Sequence, residues 1–507
     1  MATTPPPFPR PVTQELCAWI AGLTLADIPT TQRTRIKYLL LDGLACGLVG
    51  AHLAWSEAAV QGVMAMESPG TCGLIGHGDD RRLGPLAASL LNSAFIQGFE
   101  LDDYHKGAPI HSGSIVLPTL LAAVEHTAAR EGRVTTGADF LVAALVGYET
   151  GPRVGLGVHG IEVLSRGWHS GAIFGPAAAA AAASKLLQLP ASQAEDALGM
   201  ACTQAGGLMA AQYESTVKRM QHGFAARNGL FGALMARSGY AGIKQVLERP
   251  YGGFLSVFSQ GNGRDPPCDP SRVVDGLGVV WALDDIVVKP HASMAATHST
   301  IDALAALQKR HPRQLAPRAL HRIRSITVEM SEPAFKKGGW RPVRPLTVTG
   351  AQMTAAYAAA MQLLEGEVQV AQFAPAQLDR DDVWALMDKI HCQHNKDLAT
   401  YQQIVTVDVD VDVDVETTHD AERQDTKGRV ERFVERVVAP RGNGVALSND
   451  EVLHKWRQLT ARVIDPARAA AIEEMVLHLE TVPDVRALAD LLHGRTESVF
   501  GAVPTKL

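Results

Sequence analysis

Four short stretches of the sequence gather histidine, lysine and acidic side chains among glycine, serine and tryptophan. The first, Glu100-Leu-Asp-Asp-Tyr-His-Lys-Gly-Ala-Pro-Ile-His-Ser-Gly-Ser, sets the carboxylates Glu100, Asp102 and Asp103 beside Tyr104, His105 and His111. An imidazole with an ordinary pKa of roughly 6.5 passes protons near neutral pH, and neighbouring acids can orient it or share the work. Ser112 and Ser114 precede an apolar run from Ile115 and are expected to cap a helix whose free N–H groups suit an anion. Taken alone, this stretch reads better as a polar interhelix loop with surface histidines.

The second stretch, Arg166-Gly-Trp-His-Ser-Gly, puts His169 next to Trp168 between two glycines. A single His after Trp is more often a packed structural residue than a catalytic one. The third, Val217-Lys-Arg-Met-Gln-His-Gly-Phe-Ala-Ala-Arg-Asn-Gly, offers Lys218 and His222 before a run of small helical residues. Lys218 can clamp a carboxylate or, if desolvated, exchange a proton; the plain alternative is a solvated helix start. The fourth runs from Ile286 to Ala303: a short apolar strand delivers Lys289 into a proline-led turn. His291, Ser293 and His298 follow, and a helix is expected from about Ser299, capped by Thr297 or Ser299. Groups at such a strand-to-helix junction are held rigidly while remaining accessible.

Several chemistries are disfavoured. His391-Cys-Gln-His places two histidines three apart, but no second pair with zinc-like spacing follows and H-E-x-x-H is absent, so no metal site is expected. There is no G-x-S-x-G elbow and no phosphate-binding G-x-x-x-x-G-K loop. Gly155-Leu-Gly-Val-His-Gly matches the dinucleotide fingerprint, but it follows a helical pattern and reads as a chance match in an interhelix loop. The six cysteines are scattered without a C-x-x-C pair, which fits a reducing compartment better than a disulfide framework. Net charge is −6, which argues against a generally basic nucleic-acid binder.

The elements that must hold these groups change character along the chain. At 507 residues the chain exceeds one ordinary core, so two domains are expected. To about Arg264, apolar residues recur every three or four positions, as in Arg35 to Cys46, Leu86 to Gln97, Leu117 to Ala129, Ala138 to Glu149 and the Ala-rich Ala177 to Leu187. Gly and Pro mostly punctuate these segments, which predicts an all-α domain. Beyond Gly261-Asn-Gly-Arg-Asp-Pro-Pro, Arg322 to Met330 alternates, and Val405 to Val415 sets valines on one face and mostly aspartates on the other. Arg429 to Val438 is a second strand for a hairpin across a turn-like Asp420 to Gly428, and Ala351 to Leu364 is a helix between strands. The Val/Asp ladder lacks a calcium loop's central Gly and distal Glu, so a solvated strand face is expected. Asn449 to Leu492 returns to helical periodicity, and no stretch is apolar enough to span a bilayer.

In this order the four stretches resemble the MmgE/PrpD family. The likeness is carried by Leu41-Asp-Gly-Leu-Ala-Cys, Asn92-Ser-Ala-Phe, Glu100-Leu-Asp-Asp, Gly167-Trp-His, Lys218-Arg and Lys289-Pro through His298-Ser-Thr-Ile-Asp-Ala. Within the family, Glu100-Leu-Asp-Asp-Tyr-His, Gln221-His-Gly-Phe-Ala-Ala-Arg-Asn-Gly and Tyr251-Gly-Gly-Phe-Leu are most similar to the fungal cis-aconitate decarboxylases. The resemblance implies a mainly α protein: a large helical domain completed by the C-terminal tail, plus a smaller α+β lid. The expected layout is a disordered lead-in over 1–11, a helical domain over 12–270, a lid over 271–445 and a tail over 446–507.

The activity implied is that of a cofactor-free lyase on a citrate- or aconitate-type polycarboxylate. It would release CO2 from cis-aconitate or, alternatively, dehydrate 2-methylcitrate or a longer 2-alkylcitrate; an inactive binding or scaffold homologue is the alternative from another class, disfavoured because the Lys and His positions are filled. Family site positions fall on Glu100, Tyr104, His111, His169, Lys218 and Lys289, while Met294 stands where the animal decarboxylase has a functional His. His111, Lys218, Lys289, His169, Asp102 and Asp103 are the expected catalytic set. Glu100, Tyr104, His105, His222, His291, Ser293 and His298 are expected to bind substrate. A homodimer is implied, with no nucleic-acid or membrane partner. A cytoplasmic location is expected, with a peroxisomal or mitochondrial one left open.

Overall fold

The computed structural model describes residues 10–212, 215–411 and 429–501. The expected lead-in up to residue 9, the turn from Asp420 to Gly428 and the end of the Val/Asp ladder lie outside them. The described residues form two compact units, one made of 10–288 with 447–501 and the other of 289–446.

The first unit is helical. Its elements include α1 (Val12–Gly22), α2 (Thr30–Gly50), α3 (Ala54–Met66), α4 (Pro85–Ile96), α5 (Ser112–Glu131), α6 (Gly137–Gly157), α7 (Gly160–Ser165), α8 (Ser170–Leu186), α9 (Ala191–Cys202) and α10 (Gln221–Arg237). At the centre α8 packs on α5, α6, α9 and α10, and every residue from Ala177 to Ala183 is fully buried. Small side chains set this close approach: a β-carbon on Gly229 of α10 would overlap Ala179 and the backbone of Ala180. The tail helices Asn449–Thr460 and Pro466–Leu477 lie against α2. Among the described residues no single helix is long and apolar enough to cross a membrane.

Several local expectations are corrected here. Pro118, Pro152 and Pro176 lie inside α5, α6 and α8 instead of punctuating them. The surrounding helices hold the chain on course despite the lost hydrogen bond. The G-x-G-x-x-G match is not a loop, because Gly155 and Gly157 belong to α6 and Gly160 opens α7. Residues 271–288, where the pattern changes, pack in this first unit: Ser271–Val274 lies on α6. The short strand β1 (Tyr104–His105) pairs antiparallel with β2 (Ile286–Val287).

The second unit is α+β. Its sheet has β3 (Ile323–Met330), β4 (Ile390–His394), β5 (Gln403–Val411) and β6 (Arg429–Val437), in the order β4-β3-β5-β6. The β3/β4 pair is parallel and the other two are antiparallel, so the predicted β5/β6 pairing forms. Val405, Val407 and Val409 are buried, and the helix His298–Arg310 packs on β5 and β6. On the other face Asp408 accepts from Arg432 (2.7 and 3.0 Å) and Asp410 from Arg324 (2.6 Å). These aspartates are thus neutralised by arginines on adjacent strands. The expected helix Ala351 to Leu364 is two helices, Val348–Gln352 and Ala355–Glu365, separated at Met353 and Thr354.

Candidate functional site

In the first unit, three helix starts converge on a group of imidazoles. His111 is the N-cap residue of α5, His169 is the N-cap of α8, and His222 lies in the first turn of α10. The His222 ring sits between the other two, with centroids 4.9 Å from His111 and 4.8 Å from His169. The positive ends of the helix dipoles of α5 and α8 therefore meet here. His222 is 1% exposed, and neither of its ring nitrogens has a hydrogen-bond partner among the described residues. His169 Nδ1 accepts the Ala172 N–H (3.3 Å), which assigns the ring proton to Nε2. Burial, then the nearby Lys218 ammonium and His111, push the His169 pKa down to about 3. Burial, then His169, His111 and Lys218, likewise push His222 far below the usual histidine range. Both rings are neutral at pH 7. At this place the two rings serve as neutral donors or acceptors.

Positive charge comes instead from the 3-10 turn Thr216–Met220 that leads into α10. Lys218 Nζ is ion-paired to Glu100 Oε1, the same oxygen that accepts from Arg219 (2.9 Å) and Gln97 Nε2 (3.2 Å). Arg219 is buried, with its guanidinium 5.7 Å from the Trp55 ring centroid. Two cations thus share one carboxylate. Glu100 has a left-handed backbone, φ 55°, which a non-glycine residue keeps where its surroundings hold it.

Asp102 is fully buried, with Oδ2 3.1 Å from His111 Nδ1. That spacing allows charge pairing, although the atoms are not aligned for a hydrogen bond. Asp103 receives the Gly113 N–H on both oxygens (3.1 and 3.2 Å), and so caps α5. This corrects the expected capping by Ser112 or Ser114; Ser114 Oγ donates to the His111 carbonyl instead. Burial, then repulsion from Asp102, raises the Asp103 pKa to about 8. Tyr104 and His105 form β1. His105 Nδ1 accepts the Ala108 N–H (2.9 Å), burial lowers its pKa to about 4, and its charged neighbours are Asp285 and Lys106. It holds the loop and is not in the imidazole group.

In the second unit, the predicted groups after Lys289 also gather. His291 Nε2 lies 3.0 Å from Asp302 Oδ1, and its ring centroid is 5.1 Å from that of His298. His298 Nε2 donates to the Ser293 carbonyl (3.0 Å), and Ser293 Oγ pairs with Thr297 Oγ1 (2.8 Å). Burial, then His291 and Lys289, push the His298 pKa far down. Lys289 itself is buried. The helix starts at His298 with Thr297 at the N-cap position, but neither Thr297 nor Ser299 caps it as expected: the Thr297 hydroxyl donates to the Met294 carbonyl and Ser299 Oγ to that of Tyr401.

The model of the MmgE/PrpD N-terminal domain matches residues 14–266, and that of the C-terminal domain matches 291–481. The chain belongs to the MmgE/PrpD family. It is 50% identical to the "cis-aconitate decarboxylase-like protein oryM" of Aspergillus oryzae, over 95% of this chain and 97% of that protein. The cis-aconitate decarboxylase of Aspergillus terreus is 43% identical over 95% of this chain and 96% of its own length. The human cis-aconitate decarboxylase is 27% identical over 96% and 95%.

In this MmgE/PrpD chain, sequence reasoning passed over three residues that build the site. Arg219 was visible only as half of a Lys-Arg pair. The others are Asp42 on α2 and Lys455 on the tail helix Asn449–Thr460. Lys455 Nζ lies 2.6 Å from Asp42 Oδ1 and donates to the Leu101 carbonyl (2.7 Å), directly before Asp102. Both are almost fully buried. The available signal was Asp42 itself, a charge inside the apolar run Leu39-Leu40-Leu41-Asp42.

Proposed function

We propose that this chain is a lyase that decarboxylates cis-aconitate to itaconate. The observation carrying this reading is the meeting of the α5 and α8 N-termini, three imidazoles and the Lys218/Arg219 pair at one buried place. A tricarboxylate needs N–H donors and positive charge on more than one side, and this group provides both. The cis-aconitate decarboxylases of Aspergillus terreus and human match nearly the whole chain, which supports the same reaction.

In this reading the carboxylate on the saturated carbon leaves as CO2, and its bonding electrons form the new C=C. The original double bond takes a proton at its vinylic carbon. His111 supplies that proton, with Asp102 beside Nδ1 to balance the imidazolium. Lys218 and the Nε2–H of His169 hold the remaining carboxylates, and Glu100 holds Lys218 in place. The test is CO2 release from cis-aconitate by the purified protein, lost in His111→Ala.

A second reading rests on Asp103. A buried carboxylic acid protonated up to about pH 8 is the kind of group a departing hydroxyl needs. Incubation with 2-methylcitrate or a longer 2-alkylcitrate tests this dehydratase reading: new alkene without CO2 would favour it.

A further inference from the structure

In the first unit, His52, Glu57 and His77 each bring one ligand atom to a common point, and these atoms lie within 4.8 Å of one another. His52 follows α2, Glu57 is in the first turn of α3, and His77 lies in the loop after the two-residue strand Cys72–Gly73. We propose that these three side chains form a zinc site, distinct in its residues from the imidazole group at His111, His169 and His222.

Both imidazoles are already oriented by the backbone through Nε2. His52 Nε2 lies 2.9 Å from the Gly76 carbonyl, and His77 Nε2 lies 3.2 Å from the Ala51 carbonyl. A carbonyl only accepts, so each Nε2 carries its hydrogen; His77 Nδ1 offers a lone pair to Arg81, whereas His52 Nδ1 faces a carboxylate that also only accepts, so a metal would displace the proton between them. Imidazoles that bind metals are oriented by this same backbone hydrogen bond on the opposite nitrogen. His52 Nδ1 faces Glu57 Oε1 at 2.5 Å. The seat is firm as well: His77 is 1% exposed and its ring centroid lies 5.2 Å from that of Phe95.

The point that the three ligands face is held by a cation. Arg81 Nη1 lies 3.2 Å from His77 Nδ1 and 3.6 Å from Glu57 Oε2. Its side chain is 34% exposed, so it can swing outward when a metal enters. Two imidazoles and a carboxylate with one open position are a zinc donor set, with bonds of about 2.0–2.2 Å and hence ligand atoms roughly 3.3 Å apart. Reaching that spacing means opening the His52–Glu57 contact slightly and closing on His77. The loop carrying His77 is tied to the tail by Gly76 N–H to Leu492 O (2.9 Å) and Gly78 N–H to His493 O (2.7 Å). Zinc would therefore fasten the α2–α3 junction to the loop that anchors the C-terminal segment, and its effect would be on stability.

Titration of the chelator-treated full chain with Zn2+ by calorimetry, and with Co2+ by visible spectroscopy, tests this. We expect one tight Zn2+ per chain, a tetrahedral Co2+ spectrum and a Zn2+-dependent rise in Tm. Glu57→Gln and His52→Ala should weaken that event by about tenfold or more, and Arg81→Ala should strengthen it by removing the resident cation. His111→Ala, which disrupts the other imidazole group, should leave it intact. The proposal is overturned if neither wild type nor Arg81→Ala binds tightly, leaving Arg81 as the sole cation of the trio. It is equally overturned if His111→Ala abolishes the event while Glu57→Gln does not.

Discussion

The His222 imidazole fills the space that a β-carbon on Gly171 would need, so the first turn of α8 can pass the ring only because residue 171 has no side chain. Gly171→Ala is expected to displace His222 from between His111 and His169 and to lower kcat by about 100-fold, the order seen when a catalytic group moves by an ångström. Steady-state kinetics together with a melting curve check this. A near-native kcat would mean that the ring can shift without consequence.

His111 and Asp102 act as a pair in the proposed chemistry, so His111→Ala and Asp102→Asn should each reduce kcat/KM by about 100- to 10,000-fold. Their double mutant should lose little more than either alone. Lys218→Ala and Lys289→Ala are expected to abolish turnover while circular dichroism stays native. Retained activity in either lysine variant would remove it from the catalytic set.

The Lys455–Asp42 pair predicts a stability cycle. Lys455→Met strands the buried Asp42 carboxylate and frees the Leu101 carbonyl, which should cost about 3–5 kcal/mol in urea unfolding. Adding Asp42→Leu should recover most of that loss, because two packed apolar side chains replace the charges together. Additive losses in the double variant would show that Asp42 has other essential partners.

Asp103 predicts a pH dependence with a definite sign. Its folded pKa, about 8, lies above the ordinary aspartate value of 3.8, so the folded state keeps a proton that the unfolded chain releases. The stability associated with that proton is present below about pH 4 and is lost as pH rises toward 8. Asp103→Asn does not titrate, so wild type should lose stability relative to the variant across that window. Parallel stability curves from pH 4 to 8 would contradict the assignment.

Much of the fold was legible because it rests on local periodicity. The step from recurrence every three or four residues to alternation at Val405-Thr-Val-Asp-Val marks the strand whose valines are buried, and Arg429 to Val437 is its partner. Local pattern failed where tertiary packing overrides it, as with Pro118, Pro152 and Pro176 inside helices and the break at Thr354. For the site, residue types nominate His111, His169, Lys218 and His222, but the approach of the His222 ring to within about 5 Å of the other two imidazoles depends on how α5, α8 and α10 pack. Lys455 gave no signal of its own, since a lysine on an amphipathic tail helix looks solvent-facing until Asp42 is placed beside it. Capping of α5 by Asp103 was equally hidden, because nearer serines offered the simpler reading.

The most direct test is a reaction of purified protein with cis-aconitate in D2O, followed by NMR with parallel measurement of CO2. The proposed chemistry predicts itaconate and CO2 in equal amounts, with a single deuterium on the carbon that was vinylic. Unchanged cis-aconitate, or an alkene formed from 2-methylcitrate without CO2 while cis-aconitate is left alone, would contradict it.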